Sequence, residues 1–240
     1  HMEFLGNTRE SIGAEKAGIF RKNIPAICGD INPPNALIAY AQKIGAKLQL
    51  IAHDFAFERT QNTWTYRSDD IEFKQLAMPA LKGDFQLYNA SCVLSAIQSL
   101  QNKLPVNVEA ISQGLSKVQL RGRFQYIAHA PDVILDVTHN PHAAKSLAIN
   151  LEQTKSNGQT IAVFAMLADK DIAGVIQAIS SQIDAWYVSG IDHVRGASVD
   201  KISEAIVEYL PQASIKTFKT VTDAYHQACI DAHENDRIIV

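Results

Sequence analysis

The feature that most constrains this chain is a regular alternation of short apolar runs and helical apolar spacing in its second half. The pattern predicts strands over 133–137, 161–167, 185–188, 214–218 and 237–240, with helices over 140–151, 171–183, 199–210 and 224–232 between them. Strands separated by helices of this length form a parallel sheet with right-handed crossovers. Since the strands are apolar throughout, both faces of the sheet are expected to be buried. Residues 132–240 therefore predict a Rossmann-like α/β domain.

The first half is less uniform. Its pattern predicts helices over 10–20, 34–44, 88–100 and 108–115, and strands over 26–28, 48–52, 55–59, 64–67 and 72–78. The run of four strands predicts a small antiparallel sheet attached to an α/β region. Because no strand precedes the first helix, we expect this half to be the tail of an α/β domain.

Composition excludes several classes of protein. Of the 240 residues, 47 % are hydrophobic and 20 % are charged, a balance that a disordered tail or a coiled coil does not have. The longest clean apolar run, residues 161–167, is much shorter than a membrane span, and no secretion leader is visible. Three cysteines at no metal or redox spacing predict buried thiols in a reducing, cytoplasmic compartment: Cys28, Cys92 and Cys229.

Charge is distributed unevenly along the chain. Residues 1–123 contain 14 lysines and arginines against 11 acidic residues, whereas residues 124–240 contain 8 against 14. The change predicts a domain boundary at residue 123, a hinge over residues 124–131, and an anionic ligand on the first domain. Neither half is basic enough to predict nucleic acid as a partner.

The densest group of polar side chains is Asp136-Val-Thr-His-Asn-Pro-His142, which follows a predicted parallel strand and opens a predicted helix. Ligands of open α/β sheets bind at this edge, and a helix N-terminus favours anions. One alternative is purely structural: Asp136 and Asn140 merely cap a turn, and Asn140 and Pro141 suit the N-cap and first turn of a helix. The concentration of Asp, Thr and two histidines favours a functional site.

Weaker groups accompany this one. The arginines of Arg121-Gly-Arg-Phe124 can fork onto phosphates or form a solvated linker. Met166-Leu-Ala-Asp-Lys-Asp171, at another strand end, can hold a substrate or cap the next helix, and His193-Val-Arg195 can reach the same edge. Lys16, beside Glu15, is by its spacing an exposed salt-bridge residue. No Gly-x-Gly-x-x-Gly, zinc spacing or serine elbow is present.

Seven stretches, in this order and spacing, match one known family: His1-x-x-x-Leu5-Gly6-Asn7-Thr8, Ile12-x-x-Glu15-Lys16-Ala17-Gly18-Ile19, Phe85-Gln86-x-x-Asn89-Ala90, Gly122-Arg123-Phe124, Asp136-Val-Thr-His139-Asn140-Pro141-His142-Ala143, Met166-Leu167-x-Asp169-Lys170-Asp171 and Arg195-Gly196. The chain resembles folylpolyglutamate synthase/dihydrofolate synthase of the Mur-ligase-like superfamily. The family's Gly-rich P-loop, its magnesium-holding serine and glutamate, and its Gly-Ser-Phe segment past the last strand are missing. The resemblance therefore implies a C-terminal portion of such an enzyme.

Residues 1–123 would be the end of a P-loop-type central ATPase domain with a small antiparallel sheet. Residues 124–240 would be a Rossmann-like glutamate-ligase domain.

The resemblance also implies an activity. Enzymes of this family activate a pteroate or folate carboxylate with ATP as an acyl phosphate, which the glutamate amine then attacks. It implies ATP and Mg²⁺ as cofactors, dihydropteroate or folate and L-glutamate as substrates, no membrane partner, and a monomer. The residues do not distinguish dihydrofolate synthesis, polyglutamylation or both.

Site roles are carried over residue by residue. Asn89 resembles a contact to the adenine edge, Arg123 a contact to the ATP phosphates, and Asp136 a nucleotide contact from the ligase domain. Lys16 resembles the lysine that is carbamylated in this superfamily, which gains two oxygens able to fix a magnesium shell. His139 would lie near the transferring phosphoryl group.

The remaining assignments are weaker. His1, if native and not a cloning remnant, would be a magnesium ligand. Four side chains are placed around the incoming glutamate: Asp169, Lys170, Asp171 and Arg195.

Two alternatives stay open. The chain can be a non-catalytic nucleotide- or ligand-binding α/β module, which the missing P-loop favours, and on either account the chain alone is predicted to be inactive. An unrelated Rossmann-like protein with Asp136 as a phosphatase-type nucleophile is disfavoured, because Thr138 stands where such proteins have a second aspartate.

Overall fold

A computed structural model describes residues 8–83, 85–154 and 156–240 and divides the chain into two units. The first unit is residues 1–80 and 84–118, and the second is residues 81–83 and 119–240. The functional domains predicted over 1–123 and 124–240 remain a prediction, and the boundary between the structural units falls after Val118. No helix among the described residues is long and apolar enough to cross a membrane.

The first unit combines helices with two separate sheets. Its elements are α1 (Arg9–Ala17), β1 (Pro25–Cys28), α2 (Asn35–Ile44), β2 (Lys47–Leu50), β3 (Phe55–Arg59), β4 (Thr63–Ser68), β5 (Glu72–Ala77), α3 (Phe85–Leu100) and α4 (Val108–Lys117). β1 and β2 pair in parallel, and β3, β4 and β5 form an antiparallel sheet. The predicted small antiparallel sheet is confirmed with three strands. Its expected first strand, over 48–52, is wrong as a member of that sheet because β2 pairs with β1.

Helix α3 supplies much of the core of the first unit. Its Leu87 and Leu94 are buried against Trp64 and Tyr66 of β4, both of which have no exposed surface. The indole Nε1 of Trp64 donates to the carbonyl oxygen of Ala77 at 3.0 Å, which satisfies its one polar atom. This packing fixes α3, and with it the position of Asn89 within the unit.

The second unit contains one six-stranded sheet and four helices among its described residues. Its elements are β6 (Gln125–Ala128), β7 (Asp132–Leu135), α5 (Pro141–Gln153), β8 (Thr160–Phe164), α6 (Ile172–Ile179), a 3₁₀ turn (Ser180–Gln182), β9 (Ala185–Ser189), α7 (Val199–Tyr209), β10 (Ser214–Phe218), α8 (Val221–Asp231) and β11 (Arg237–Ile239). The strand order is β10–β9–β8–β11–β7–β6. All neighbours are parallel except the antiparallel pair β6 and β7.

Both faces of this sheet are covered. Helices α5, α6 and α7 pack on one face around Trp186 and Ile134, and α8 packs on the other face against Tyr187. Burial on both sides explains the continuous apolar runs 161–164 of β8 and 185–188 of β9. The predicted Rossmann-like α/β architecture is confirmed.

The helices of this sheet begin at side-chain caps. Each N-cap oxygen accepts the backbone N–H of the third residue after it, which satisfies a donor that the helix leaves unpaired. The four caps are Asn140, Asp171, Ser198 and Thr220.

The predicted hinge over residues 124–131 is wrong. Residues 125–128 form β6, which pairs with β7 through a register shift between Tyr126 and Ala128. Phe124 is buried in the main core and meets the Tyr126 ring edge-on at 5.8 Å between centroids. Two aromatic side chains thus anchor this segment to the second unit, and the segment is a strand of its sheet.

Candidate functional site

The predicted site residues of the second unit lie at one edge of its sheet. Strands β7, β8 and β9 are parallel, so the loops that follow them emerge at the same edge, where ligands of such sheets bind. β6 runs in the opposite direction, so the segment that precedes it also lies there. β11 separates β7 from β8, which spaces these two strands about 10 Å apart.

Asp136 follows the last residue of β7, and its backbone N–H and both carboxylate oxygens form hydrogen bonds. Its backbone N–H donates to the carbonyl oxygen of Val240 at 2.8 Å. Carboxylate Oδ2 accepts the backbone N–H of Phe124 at 2.8 Å, and Oδ1 accepts both the N–H and the hydroxyl of Thr138, at 3.0 and 2.5 Å. The carboxylate therefore ties the end of β7 to the start of β6.

Arg123 lies on the segment that Asp136 holds. Gly122 and Phe124 on either side of it are buried, whereas Arg123 is exposed. Within the described part of the second unit, no hydrogen bond or ion pair engages its guanidinium group. Five guanidinium N–H donors thus stay open to a ligand.

His139 is exposed beside the same strand end, and its Nδ1 lies 3.0 Å from the carbonyl oxygen of Val137. Because a carbonyl oxygen can only accept, Nδ1 is the donor of this hydrogen bond, and in a neutral ring Nε2 is the nitrogen with the lone pair. Asn140 caps α5, with its side-chain oxygen 2.9 Å from the N–H of Ala143. The capping alternative therefore describes Asn140 but not His139.

A second charged group ties the loops after β8 and β9 together. The Arg195 guanidinium donates to Asp169 Oδ2 at 2.7 Å, and the Lys170 ammonium lies 3.1 Å from the same oxygen. Backbone bonds join the same loops, from Ala168 N–H to the Arg195 carbonyl at 2.7 Å and from Ala197 N–H to the Met166 carbonyl at 2.9 Å. Two positive charges thus meet one carboxylate at this edge.

The environment of Asp169 changes its titration. Hydrogen bonds from Arg195 and then from Lys170 lower the pKa of Asp169 to about 2. Asp171, two residues on, accepts the N–H of Gly174 at 2.9 Å and caps α6. The contacts of Asp171 agree with the capping alternative, and its role toward substrate remains a prediction.

The remaining predicted residues belong to the first unit. Lys16 is exposed on α1 and forms no ion pair with a described residue of that unit, so the expected salt bridge with Glu15 is not present. The side-chain N–H of Asn89 donates to Gln86 Oε1 at 3.0 Å. His1 lies outside the described residues. No three His, Cys, Asp or Glu side chains of the described ranges are grouped to hold a metal ion.

The sequence pattern did not predict two contacts that shape this edge. Thr138 covers Asp136 Oδ1, and the ammonium of Lys201 donates to the carbonyl oxygen of Ala168 at 3.0 Å. Thr138 had a detectable signal, because Asp-x-Thr at a strand end is typical of a turn in which the side chain binds its own backbone. Lys201 had none, because its partner is a backbone oxygen of a distant loop.

Comparison with known proteins gives one family for this unit. Residues 122–240 match the family described as Mur ligase, glutamate ligase domain. Over all 240 residues, the chain is 36 % identical to the dihydrofolate synthase/folylpolyglutamate synthase of Escherichia coli K12 and covers 54 % of that protein. The chain thus spans about half the length of the curated relatives that it matches.

Solved structures agree. The whole chain superposes with a TM-score of 0.90 on E. coli FolC in complex with DHPP and ADP, at 35 % identity and covering 55 % of that chain. It superposes with a TM-score of 0.87 on the bifunctional folylpolyglutamate synthase/dihydrofolate synthase of Yersinia pestis complexed with AMPPNP and Mn ion, at 38 % identity and covering 55 % of that chain.

Proposed function

We propose that this chain is part of an ATP-dependent ligase. Its residues 122–240 match the family described as Mur ligase, glutamate ligase domain, and the whole chain matches a C-terminal portion of dihydrofolate synthase/folylpolyglutamate synthases. The enzyme would join L-glutamate to dihydropteroate, to folates or to both. The observation that carries the proposal is that Arg123 and His139 lie at the ligand-binding edge of the six-stranded sheet, where both side chains are exposed and only His139 Nδ1 has a partner among the described residues of the unit.

The proposed reaction has two steps. A carboxylate oxygen of the pteroate or folate attacks the γ-phosphorus of ATP, and ADP leaves. The glutamate amine then attacks the acyl carbon, inorganic phosphate leaves, and the amine nitrogen loses its proton. Such chemistry depends on positioning and on neutralising charge on the transferring phosphoryl group.

Arg123 is suited to bind the negatively charged phosphoryl group that the first step transfers. Its guanidinium is exposed and unpaired within its unit, and a guanidinium can bind two phosphate oxygens at once. Asp136, which holds the adjacent backbone, belongs to the same nucleotide-binding element. Asn89 is proposed as the adenine contact of the first unit, because its terminal amide offers a donor and an acceptor.

His139 is suited to the second step. With Nδ1 donating to the Val137 carbonyl, Nε2 is the basic nitrogen and can accept the proton that the attacking amine loses. The carbonyl also fixes the ring, as the orienting partner of a catalytic histidine does. Arg195 and Lys170, both bound to Asp169, are proposed to attract the carboxylates of the incoming glutamate.

A divalent metal ion accompanies the nucleotide in the Yersinia pestis structure. In this chain the proposed contributors to a Mg²⁺ site are His1 and a carbamylated Lys16. His1 lies outside the described residues, Lys16 offers no oxygen before modification, and the described ranges hold no other cluster of metal-binding side chains. The described residues do not by themselves fit a magnesium ion, so no step is assigned to one.

The test of this proposal is ligation by the complete gene product that contains this chain. We expect phosphate release from ATP that requires both L-glutamate and an acceptor, in a one-to-one ratio with the glutamate incorporated. Dihydropteroate and a reduced folate, tried separately, distinguish the two acceptor classes. The 240-residue chain alone is expected to give no turnover.

The contrary result is nucleotide binding by the complete protein without glutamate-dependent phosphate release. That outcome would favour a non-catalytic binding module. Location in the cytoplasm and a monomeric state remain predictions, which fractionation and light scattering would check.

A further inference from the structure

We propose that His193 is a positioning residue for Arg195, and that the proposed glutamate subsite therefore binds its substrate best when His193 is neutral. The inference rests on the proposed function, in which Arg195 attracts a carboxylate of the incoming glutamate. It assigns a part to a histidine that takes no step in the reaction itself. It also predicts a pH dependence of glutamate binding that one side chain causes.

The imidazole of His193 is hydrogen-bonded to the backbone of Arg195. The N–H of Arg195 donates to His193 Nδ1 at 3.1 Å, in a local turn like those in which Asp or Asn accepts the N–H two residues on. Because a backbone N–H can only donate, Nδ1 must supply a lone pair, so the ring is neutral and its proton lies on Nε2. His139 at the same edge has the opposite arrangement, since its Nδ1 is the donor.

The loop that contains both residues is tightly wound. The N–H of His193 donates to the carbonyl oxygen of Ile191 at 2.8 Å, and the N–H of Gly196 donates to the carbonyl oxygen of His193 at 2.7 Å. Gly196 has no room for a side chain, because a Cβ atom would overlap the carbonyl oxygen of Ile191. In a turn this tight, a change at the Arg195 N–H is expected to alter the direction in which the Arg195 side chain leaves the backbone.

Arg195 connects this loop to the proposed glutamate subsite. Its carbonyl oxygen accepts the N–H of Ala168, and its guanidinium donates to Asp169 Oδ2, both at 2.7 Å. Asp169 has a pKa of about 2 because Arg195 and Lys170 bind it, so it stays ionised between about pH 5 and 8, where a histidine changes its charge. Of these three contacts of Arg195, the one to His193 is therefore the one that a proton removes in that range.

Protonation of His193 has two opposing consequences. It puts a hydrogen on Nδ1, which then faces the N–H of Arg195, so the hydrogen bond between them is lost. It also adds a positive charge beside Arg195, which by itself would favour an anionic substrate. The ring is exposed, so water and salt screen that charge. We therefore expect the lost hydrogen bond to dominate and glutamate binding to weaken as the pH falls.

Other charged side chains lie on this loop, on the loop after β8 and on the first turn of α7. They are Asp192, Asp169, Lys170, Asp200 and Lys201. Carboxyl groups and lysines as classes change their charge below about pH 5 or above about pH 9, so they are not expected to produce the same dependence. His139 also titrates in the range of a histidine, and every variant below retains it.

The decisive experiment compares His193→Asn with the wild type in the complete enzyme, at about pH 8 and about pH 5.5. The Asn side chain offers a non-titrating oxygen acceptor near the place of Nδ1, so at the higher pH we expect a KM for L-glutamate within about twofold of the wild type. At the lower pH, the wild-type KM is expected to rise about fivefold more than that of the variant. Protonation of His139 and of the glutamate amine is common to both proteins and cancels. Equal rises, or a smaller rise in the wild type, would overturn the inference.

Two further variants separate positioning from a general effect on the fold. His193→Ala removes the acceptor and is expected to raise the KM for L-glutamate about fivefold at the higher pH, with the KM for ATP unchanged. His226→Asn replaces a histidine that is exposed on α8 and should keep the wild-type pH dependence. If His193→Ala has the wild-type KM for L-glutamate at the higher pH, the acceptor is not needed and the inference fails.

A readout without catalysis keeps the inference testable if the proposed function fails. We expect an NMR coupling through the hydrogen bond between the backbone nitrogen of Arg195 and Nδ1 of His193 at about pH 8, and its loss at about pH 5.5. With both nitrogen signals assigned, absence of the coupling at the higher pH would overturn the positioning role. Absence of glutamate-dependent phosphate release in the wild-type protein would instead overturn the proposed function.

Discussion

At the amino edge of the six-stranded sheet, Arg237 is 3 % exposed and its guanidinium donates to the carbonyl oxygens of Leu151 and Thr154 and to the hydroxyl of Thr160. At the carboxyl edge, Arg123 is exposed and its guanidinium binds no described residue of its unit. The same side chain therefore serves opposite purposes at the two edges. Arg237 binds elements of the fold to one another, whereas the guanidinium of Arg123 is available to bind a ligand.

The carboxylates repeat the contrast. At the amino edge, Asp236 is buried and accepts the N–H groups of Gln159 and His233, both at 2.7 Å. At the carboxyl edge, Asp169 is bound by Arg195 and Lys170, which are themselves charged and solvent-accessible. Buried polar groups must form their hydrogen bonds within the protein. The solvent-accessible cations of the carboxyl edge therefore indicate where a ligand would bind.

The largest expected effect is on stability. Replacing Arg237 with Leu removes its donors from the carbonyl oxygens of Leu151 and Thr154 and from the hydroxyl of Thr160, two of which are buried contacts, so we expect the free energy of unfolding to fall by about 3 kcal/mol. Urea unfolding of the complete protein, followed by the fluorescence of Trp186 with Trp64 and any tryptophan outside this chain replaced by Phe, measures the second unit selectively. Arg123→Leu is the matched substitution at the other edge and is expected to change stability by less than about 0.5 kcal/mol. Equal losses would remove the contrast.

The second effect is on activity. Here the Arg123 variant is expected to lose more than the Arg237 variant. Arg123→Ala should lower kcat/KM for ATP by about 10- to 100-fold, the loss of one charge-assisted contact of about 1.5–3 kcal/mol. Arg237→Leu, assayed well below its melting temperature, should change kcat/KM less than threefold. An Arg237 variant that stays folded and loses more activity than the Arg123 variant would contradict the assignment of the two edges.

The smallest effect is a pKa shift that sharpens the description of the carboxyl edge. Asp169 has a pKa of about 2 against an ordinary value of 3.8, so its contribution to stability is complete above pH 4 and is lost as the pH falls toward 2. In Arg195→Ala, its pKa should rise toward 3.8 but stay below it, because Lys170 remains 3.1 Å away. Carboxyl NMR shifts against pH measure this.

The chain supplies its own control for that titration. Hydrogen bonds from Lys216, Tyr187 and Gln227 hold the pKa of Asp231 at about 2 as well. Asp231 makes no contact with Arg195, so its titration should be unchanged in Arg195→Ala. If both carboxyl groups shift together, the substitution has disturbed the fold and the local explanation fails.

The α/β architecture could be predicted because burial on two faces leaves a simple pattern. β8 and β9 are runs of apolar residues with polar turns at both ends, and their helices begin at Asn140, Asp171 and Ser198, all of which favour N-caps. The edge that holds the site followed from the same pattern. Strand ends and polar loops are local properties of the sequence.

Pairing and contacts over longer distances could not be predicted in this way. β2 has the appearance of a strand, but nothing in its residues specifies β1 as its partner. β6 is short and its pairing with β7 contains a register shift. Its residues therefore do not show the regular alternation of a strand, and the arginines that precede it do not indicate one. The partner of Asp136 was missed because it is the backbone N–H of Phe124, and a backbone donor leaves no mark in the side-chain sequence.

The most direct test of the contrast between the two edges is the response of individual arginine side chains to nucleotide. In the complete protein, the Nε–Hε NMR signals of Arg123 and Arg237 can be followed while AMPPNP is added. We predict a saturable shift of the Arg123 signal, with the Arg237 signal unchanged at full occupancy. A saturated complex in which the Arg123 signal does not move, or moves no more than that of Arg237, would contradict the claim that the carboxyl edge keeps Arg123 for the phosphates.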